Sequence, residues 1–133
     1  MKAIIDAIKT RLYATSSLTT PLGGATPRIY LDSAPADAPM PLMVYKPQAD
    51  NLSRMFGGDT RHQFDISFEI YVEASTPSQL HTLAAALGTA FATTLTVTGF
   101  DRATVTRQTA GVPSFSDSAW SIVEVYRVVA HDI

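Results

Sequence analysis

The chain has 133 residues, which is long enough for one domain with its own core and too short for two ordinary ones. Hydrophobic residues make up 46% of it and charged residues 17%, so it can bury enough apolar surface to fold, unlike an intrinsically disordered chain. Its formal net charge of -2 and its lack of a basic block disfavour DNA binding as the main role. Because it has no cysteine, disulfides, thiolate nucleophiles, Cys-based zinc sites and iron–sulfur clusters are excluded.

Targeting signals are not visible in the sequence. No apolar run approaches the roughly 20 residues that a membrane-spanning helix needs, and Asp6 stands where a signal peptide would stay apolar. We therefore expect cytosolic synthesis without export and no membrane partner. We also expect a single domain over residues 1–133, since neither an internal repeat nor a dividing linker is visible.

Two helices are predicted. The first spans residues 2–14 and is amphipathic, with apolar side chains on one face at Ile4, Ile5, Ile8 and Leu12. The following residues 16–27 are rich in Ser, Thr, Gly and Pro, which indicates a loop that contributes little packing. The second helix is predicted to begin at Thr76 as N-cap, because Pro77 and Gln79 complete a capping box with proline at the first helical position. Its apolar stripe comprises Leu80, Leu83, Ala84, Leu87 and Phe91.

Short strands are predicted at residues 28–31 and 42–46. Between them Pro35, Pro39 and Pro41 each remove an amide donor, so the second strand can begin only after Pro41. The residues of both segments include the β-branched and aromatic types that favour strands.

The clearest pattern is a strict alternation from Arg61 to Glu73. Apolar residues and His62 occupy every second position, which predicts a strand with one buried face. Such a strand would span ~40 Å, about twice the usual length, and we expect that it can extend beyond its own domain.

The last third of the chain predicts further strands. Residues 95–110 are rich in Thr and Val and indicate one or two strands broken at Gly99, and a polar stretch covers residues 114–118. Residues 119–130 carry apolar side chains on both faces, which predicts a central strand covered on both sides. The predicted fold class is α+β, with a mixed, mostly antiparallel sheet of four to five strands and both helices packed on one face.

Motifs for catalysis or metal binding are missing. The three histidines lie in three different elements, outside any His-x-x-x-His or His-Glu-x-x-His pattern. There is no Gly-x-Ser-x-Gly elbow, and the glycine pairs at 23–24 and 57–58 lack the other residues of phosphate-binding loops. We therefore expect no catalytic, cofactor-binding or metal-binding residues and predict that the protein is not an enzyme.

Two surfaces stand out as candidates for interaction. Asp65, Glu69 and Glu73 fall on one face of the long strand; this is either an ordinary solvated face or an acidic stripe that is catalytic or repels an anionic polymer. The predicted loop at residues 50–60 contains Leu52, Arg54, Met55 and Phe56. It is either a hairpin tip folded back on the domain or a docking loop for another subunit, since exposed Met and Phe beside Arg are typical of interface anchors.

A family resemblance is carried by the order of elements and by several stretches of sequence. These are Arg28-Ile29-Tyr30-Leu31 with Ala34-Pro35, Pro41-Leu42-Met43-Val44-Tyr45, the alternating strand from His62 to Val72, Pro77-Ser78-Gln79-Leu80, and the late strand from Ala119 to Tyr126. In this order they resemble the small tail completion or tail terminator proteins of long-tailed bacteriophages, including the tail-to-head joining proteins grouped with them. The resemblance covers nearly all 133 residues but does not extend to the details of residues 97–118.

The resemblance implies a structural assembly protein of the virion. Similar chains form a ring, commonly of six, which sits on the last ring of the tail tube, ends tube polymerisation and presents a surface to the head connector or stopper protein. DNA passes through the lumen without specific binding. The implied location is the head-proximal end of the tail, with assembly in the host cytoplasm. On this basis we expect the loop residues Leu52, Arg54, Met55 and Phe56 to contact another subunit or the tube, and Asp65, Glu69 and Glu73 to face the lumen.

Two alternatives remain open from the sequence. A head–tail connector or stopper is also a ring protein and differs in the partner that it contacts. A small-molecule-binding or enzymatic α+β domain would instead need a pocket with convergent polar groups, and no cluster of His, Asp, Glu or Lys converges by spacing.

Overall fold

The computed structural model describes residues 2–48, 51–54 and 60–132; for residues 51–54, 60 and 132 it describes the backbone. The predicted α+β class is confirmed. In chain order the elements are α1 (Lys2–Ala14), α2 (Ser16–Thr19), β1 (Ile29–Leu31), β2 (Leu42–Pro47), β3 (Asn51–Arg54), β4 (Thr60–Glu73), α3 (Gln79–Ala90), β5 (Phe100–Thr109), β6 (Ser114–Ser116) and β7 (Ala119–Asp132).

The strands form one mixed, mostly antiparallel sheet in the order β1-β2-β4-β7-β5. Only β1 and β2 run parallel among the described strand pairs. Two short strands lie beside this path: β3 pairs with the beginning of β4, and β6 pairs with the beginning of β7. Five strands on the main path agree with the predicted sheet, whereas β3 and β6 were not predicted as strands.

Two 14-residue strands, β4 and β7, form the centre of the sheet. They pair antiparallel from Arg61 opposite His131 to Glu73 opposite Ala119. The predicted long strand is therefore present, but it is held by β7 over almost its whole length and does not run free beyond the sheet. Its apolar positions form the predicted buried row, namely Phe64, Ile66, Phe68, Ile70 and Val72.

A helical layer covers one face of the sheet, called here the closed face. Ile4, Ile8 and Leu12 of α1 are fully buried, together with the apolar stripe of α3. Arg11 joins the two helices, because its guanidinium donates hydrogen bonds to the carbonyl oxygens of Ala90, at 2.8 Å, and of Thr94, at 2.9 Å. The C-terminal end of α3 thereby gains a cation near its free carbonyls. No helix in the described ranges is long and apolar enough to cross a membrane.

Two local predictions need correction. The segment predicted as a loop at 16–27 includes the short helix α2, and its Leu18 and Leu22 are fully buried, so it does contribute to the core. Helix α3 begins at Gln79 and not at Thr76. Residues 76–79 form a turn in which the Gln79 amide donates to the Thr76 carbonyl at 3.1 Å, and the Thr76 hydroxyl donates to Gln79 Oε1 at 3.2 Å. The two predicted capping side chains thus bond to each other, while the N-cap is Ser78, which makes no side-chain capping hydrogen bond.

The opposite face of the sheet, called here the open face, is not covered by any described element along β7. Val123 is 43% exposed, and Val125 and Val129 are half-buried. The prediction that β7 is central in the sheet holds, but the prediction that both its faces are covered is wrong. The alternating valines Val123, Val125 and Val129 were interpreted as core residues, but they remain partly accessible to solvent.

Candidate interaction surfaces

The predicted acidic residues lie together on the open face. Asp65 stands directly opposite Arg127 of β7, whose Nε donates to Asp65 Oδ1 at 3.0 Å. Glu69 accepts hydrogen bonds from Lys46 Nζ at 3.2 Å and from the Tyr71 hydroxyl at 3.0 Å. Glu73 is exposed at the end of β4. The three carboxylates thus share a face, but two of them are paired with a cation.

The electrostatic character of the open face is mixed. The sheet register places Arg61 and Arg102 on the same face as the ion pairs, so basic residues accompany the acidic ones. Burial, followed by the hydrogen bond to Glu69, raises the pKa of the Tyr71 hydroxyl, so the proton that it donates to Glu69 is lost only at a higher pH than that of an ordinary phenol. A lumen-facing role for Asp65, Glu69 and Glu73 stays a prediction, and the surface concerned is a row of paired charges more than an acidic stripe.

A groove lies where the loop of residues 32–41 crosses the open face beside β2. Leu42 and Val44 point to the open face and are nevertheless buried, because this loop covers them. The space between loop and sheet, called here the loop groove, has a volume of about 350 Å³. Its lining includes Ala34, Ala36, Ala38, Met40, Leu42 and Val44, with Lys46, Glu69 and Tyr71 also part of its wall.

The predicted docking loop falls largely outside the described residues. Met55 and Phe56 lie among residues 55–59, which the structure does not describe. Leu52 and Arg54 belong to β3, where their backbones pair with His62 and Thr60. Strands β3 and β4 are therefore consecutive antiparallel neighbours, as a hairpin requires, and the docking role of the four side chains stays a prediction.

A buried polar cluster lies on the closed face near the junction of β5 and β6. Glu124 is only 3% exposed, and it is the one buried polar or charged residue among the side chains that the structure describes. Its Oε2 accepts a hydrogen bond from the Gly111 amide at 2.9 Å, and its Oε1 lies 3.8 Å from Arg107 Nη2. Arg107 also donates to the Tyr126 hydroxyl and to the Ala84 carbonyl. The carboxylate thus fixes the chain between β5 and β6.

The chain held by Glu124 leads directly to two exposed apolar side chains. Val112 is 82% exposed, and Phe115 of β6 is 55% exposed with its ring 5.2 Å from that of Trp120. After β6 the chain turns through Asp117 and Ser118, whose positive φ angles of 53° and 63° are those of a tight two-residue hairpin. We call residues 111–115 the knob.

None of these surfaces has the composition of a metal or catalytic centre. Within the described ranges no group of three or more His, Cys, Asp or Glu is placed to hold a metal ion. On the open face Lys46 pairs with Glu69, and Arg127 pairs with Asp65, across neighbouring strands.

A comparison with family models decides the relationship. The model described as tail completion protein gp17 matches residues 6–125. The chain belongs to this tail completion family. The resemblance read from the element order is thereby confirmed, and the family match also runs through residues 97–118, for which the sequence pattern showed no resemblance.

Solved structures with the same fold agree with the membership. A chain of a structure titled as the virion of a native gene transfer agent particle matches with a TM-score of 0.66 and 20% identity, covering 95% of this chain and 92% of that one. A second solved structure matches with a TM-score of 0.63 and 16% identity, covering 99% and 95%. At such identities the likeness shows the fold. A sequence search of curated proteins finds no match.

Membership of the tail completion family gives this chain a structural role in phage tail assembly and a place in the virion. Sequence reasoning missed two of the surfaces described above. Glu124 gave one usable signal, a single acid at a core-facing position between Ile122 and Tyr126 in an otherwise apolar row. The loop groove gave none, because its lining is small apolar residues in a proline-rich loop.

Proposed function

We propose that this tail completion protein is a tail terminator that forms a ring, of six copies by analogy with the family, on the head-proximal end of the tail tube. The ring ends tube polymerisation and offers the attachment surface for the head connector or stopper. The observation that carries the proposal is the family match over residues 6–125. The protein acts by binding and shape, without catalysis, cofactor or metal, and it assembles in the host cytoplasm.

The sheet edges favour a ring held by side chains over one held by added strands. Strand β1 has only three residues, so it offers a neighbour few free backbone groups. Strand β5 has register irregularities at both ends, and its Arg107 turns inward to Tyr126 and the Ala84 carbonyl. Short, irregular edges with an inward-pointing charge are the features by which proteins prevent strand-to-strand association. Neighbouring copies therefore meet through other surfaces, and a head-to-tail contact that closes produces a ring.

The open face suits the wall of a DNA channel. Asp65 and Glu69 are paired with Arg127 and Lys46, so these two cations are already neutralised, and Arg61 and Arg102 of the same face stand outside the two ion pairs. Glu73 adds an exposed negative charge at one end of the strand. DNA then passes without specific binding, because strong retention needs Lys and Arg that neutralise several phosphates at once.

The β3–β4 hairpin is the proposed contact with the tube or with a neighbouring subunit. Truncation of Phe56 to Ala is expected to weaken assembly while leaving the monomer folded, since an aromatic anchor contributes more binding energy than its neighbours. Circular dichroism checks the fold, and sedimentation of the variant with tail tubes checks assembly. A ring of normal stability on the tubes would contradict a role of the hairpin in docking.

The test of the proposed function is the mass of the purified protein by light scattering, alone and after mixing with tail tubes, followed by electron microscopy of tube ends. A closed ring, or protein bound at one end of each tube, supports the terminator. An isolated monomer is compatible with it when that monomer binds tube ends. A protein that ignores tubes but binds isolated heads would instead be the connector or stopper.

A further inference from the structure

The backbone of the knob is held in place by the buried carboxylate of Glu124. Burying a carboxylate is unfavourable unless hydrogen bonds compensate it, and Glu124 accepts a hydrogen bond from the amide of Gly111, the residue before Val112. The backbone there fits tightly, because a Cβ on Gly111 would lie 2.1 Å from the Val123 carbonyl oxygen. A buried acid and a sterically required glycine thus hold in place a valine that is 82% exposed.

The loop groove lies at the other side of the same sheet. Strands β1 and β2 form that side, and the knob follows β5, which is the last strand at the opposite side. The groove is lined mainly by Ala, Pro, Met, Leu and Val side chains, which suits small apolar side chains such as those of Val112 and Pro113.

The two features also lie at the same level along the strands. Ser114 of the knob pairs with Ser121 of β7. Ser121 in turn pairs with Tyr71 of β4, and Tyr71 pairs with Leu42 of β2 at the groove. The next row in this part of the sheet runs from Val123, beside Gly111, through Glu69 to Val44. A neighbour displaced sideways by about one sheet width, and turned as ring subunits are so that its open face looks toward this edge, therefore brings its groove to this knob.

We infer that the knob of one copy docks into the loop groove of the next copy, so that each subunit gives a knob on one side and receives one on the other. The inference rests on the proposed ring function and names its subunit contact. Because the surfaces that meet are different, the contact is heterologous and repeats around a closed ring.

Charge and area are consistent with this occupant. Residues 111–115 carry no charged side chain, and Lys46 and Glu69 in the groove wall already pair with each other, so docking separates neither charge from its partner. Asp32, the other acid of the groove wall, is exposed and stays accessible to water at the rim. Val112 and Phe115 together present on the order of 200 Å² of apolar surface, well below the ~800 Å² per partner of a stable interface. The contact alone is therefore too small for a stable dimer, and it forms on a template that holds the copies together.

Because the chain has no cysteine, thiol cross-linking tests the contact directly. The double variant Val112→Cys/Ala36→Cys, with both positions exposed, is bound to tail tubes and treated with a short bismaleimide. We expect a ladder of cross-linked copies at least ten times stronger than for the control Val112→Cys/Thr82→Cys, whose second cysteine lies on the exposed side of α3. A mixture of the two single variants, Val112→Cys and Ala36→Cys, should stop at dimers, because each copy then has one reactive site.

A second variant tests the same contact without cross-linking. Val112→Asp places a charge into the apolar groove, and we expect at least tenfold weaker occupancy of tube ends with unchanged thermal stability, whereas Thr82→Asp should bind like the wild type. If wild-type protein caps tubes but the double variant cross-links no better than its control, the knob contact is overturned and the terminator function stands. If wild-type protein neither closes a ring nor caps tubes, the proposed function fails and the contact falls with it.

Discussion

The closed and open faces of β4 and β7 are built from alternate residues of the same two strands, yet they are stabilised differently. The closed face is a continuous apolar core in which Phe64, Ile66 and Phe68 are almost fully buried under the helices. The open face carries ion pairs, serines and three partly accessible valines. One face determines whether the chain folds. The other is expected to tolerate substitution without loss of the fold, and it is the face that we propose lines the channel.

The two faces also treat a carboxylate differently. On the closed face Glu124 is buried and bonds to a backbone amide, so its removal leaves a buried donor without a partner. On the open face Glu69 bonds to side chains, one of them the partly exposed Lys46, which water can solvate instead. The same residue type is therefore structural on one face and replaceable on the other.

The largest difference is expected between two neighbouring residues of β4. Ile66→Asp puts an unpaired charge into the core, which costs several kcal/mol against a total stability of about 5–15 kcal/mol, so we expect the variant not to fold. Phe68→Asp should behave in the same way. Ser67→Asp is the matched control, since residue 67 lies on the open face opposite Lys46 and should change stability by less than about 1 kcal/mol.

Urea unfolding followed by circular dichroism measures all three variants. Folded, soluble Ile66→Asp protein would mean that the two faces have been assigned the wrong way round.

An intermediate difference is expected between the two glutamates. Glu124→Ala removes a buried acceptor and should lower the free energy of unfolding by about 1–3 kcal/mol. Glu69→Ala removes a partly exposed ion pair and should lower it by at most ~1 kcal/mol. Denaturant titration of both variants gives the comparison. Equal losses would show that burial does not distinguish the two carboxylates.

The smallest expected effect is on the pH dependence of stability, and it arises from Tyr71 on the open face. Burial and the hydrogen bond to Glu69 raise the pKa of Tyr71 above its ordinary 10.0, so the folded state favours the protonated phenol. This stabilisation is fully present below pH 10 and is lost as pH rises through the higher folded-state pKa. The stability of Tyr71→Phe should therefore fall less steeply than that of the wild type above pH 10, as measured by denaturant titration. Parallel curves would contradict the assignment.

Much of the fold follows from local pattern. The alternation between His62 and Val72 predicted β4 and its buried face, because every second residue of a strand lies on the same face. The periodic leucines of the second helix identified its core-facing side, although a turn at Thr76 delays the helical start. Both features depend on residues that are close together in the sequence, so a single sequence is enough to predict them.

The errors concern features that depend on distant partners. The valines of β7 have the pattern of core residues, but the sequence does not show whether any element covers the open face of this strand. Strand β6 was missed because its turn uses Asp117 and Ser118 in left-handed conformations without the glycine that usually marks such a hairpin. The knob and the loop groove are separated by about 70 residues, and only the sheet register shows that they lie at one level.

The long pairing of β4 with β7 also has a mechanical consequence. Thirteen residue pairs join these antiparallel strands, from Arg61–His131 to Glu73–Ala119. A force along the strands loads these hydrogen bonds in shear and distributes the load over many of them at once, whereas a sideways force peels the three-residue β1 away first. We therefore expect the protein to resist a force along its strands better than a force across them.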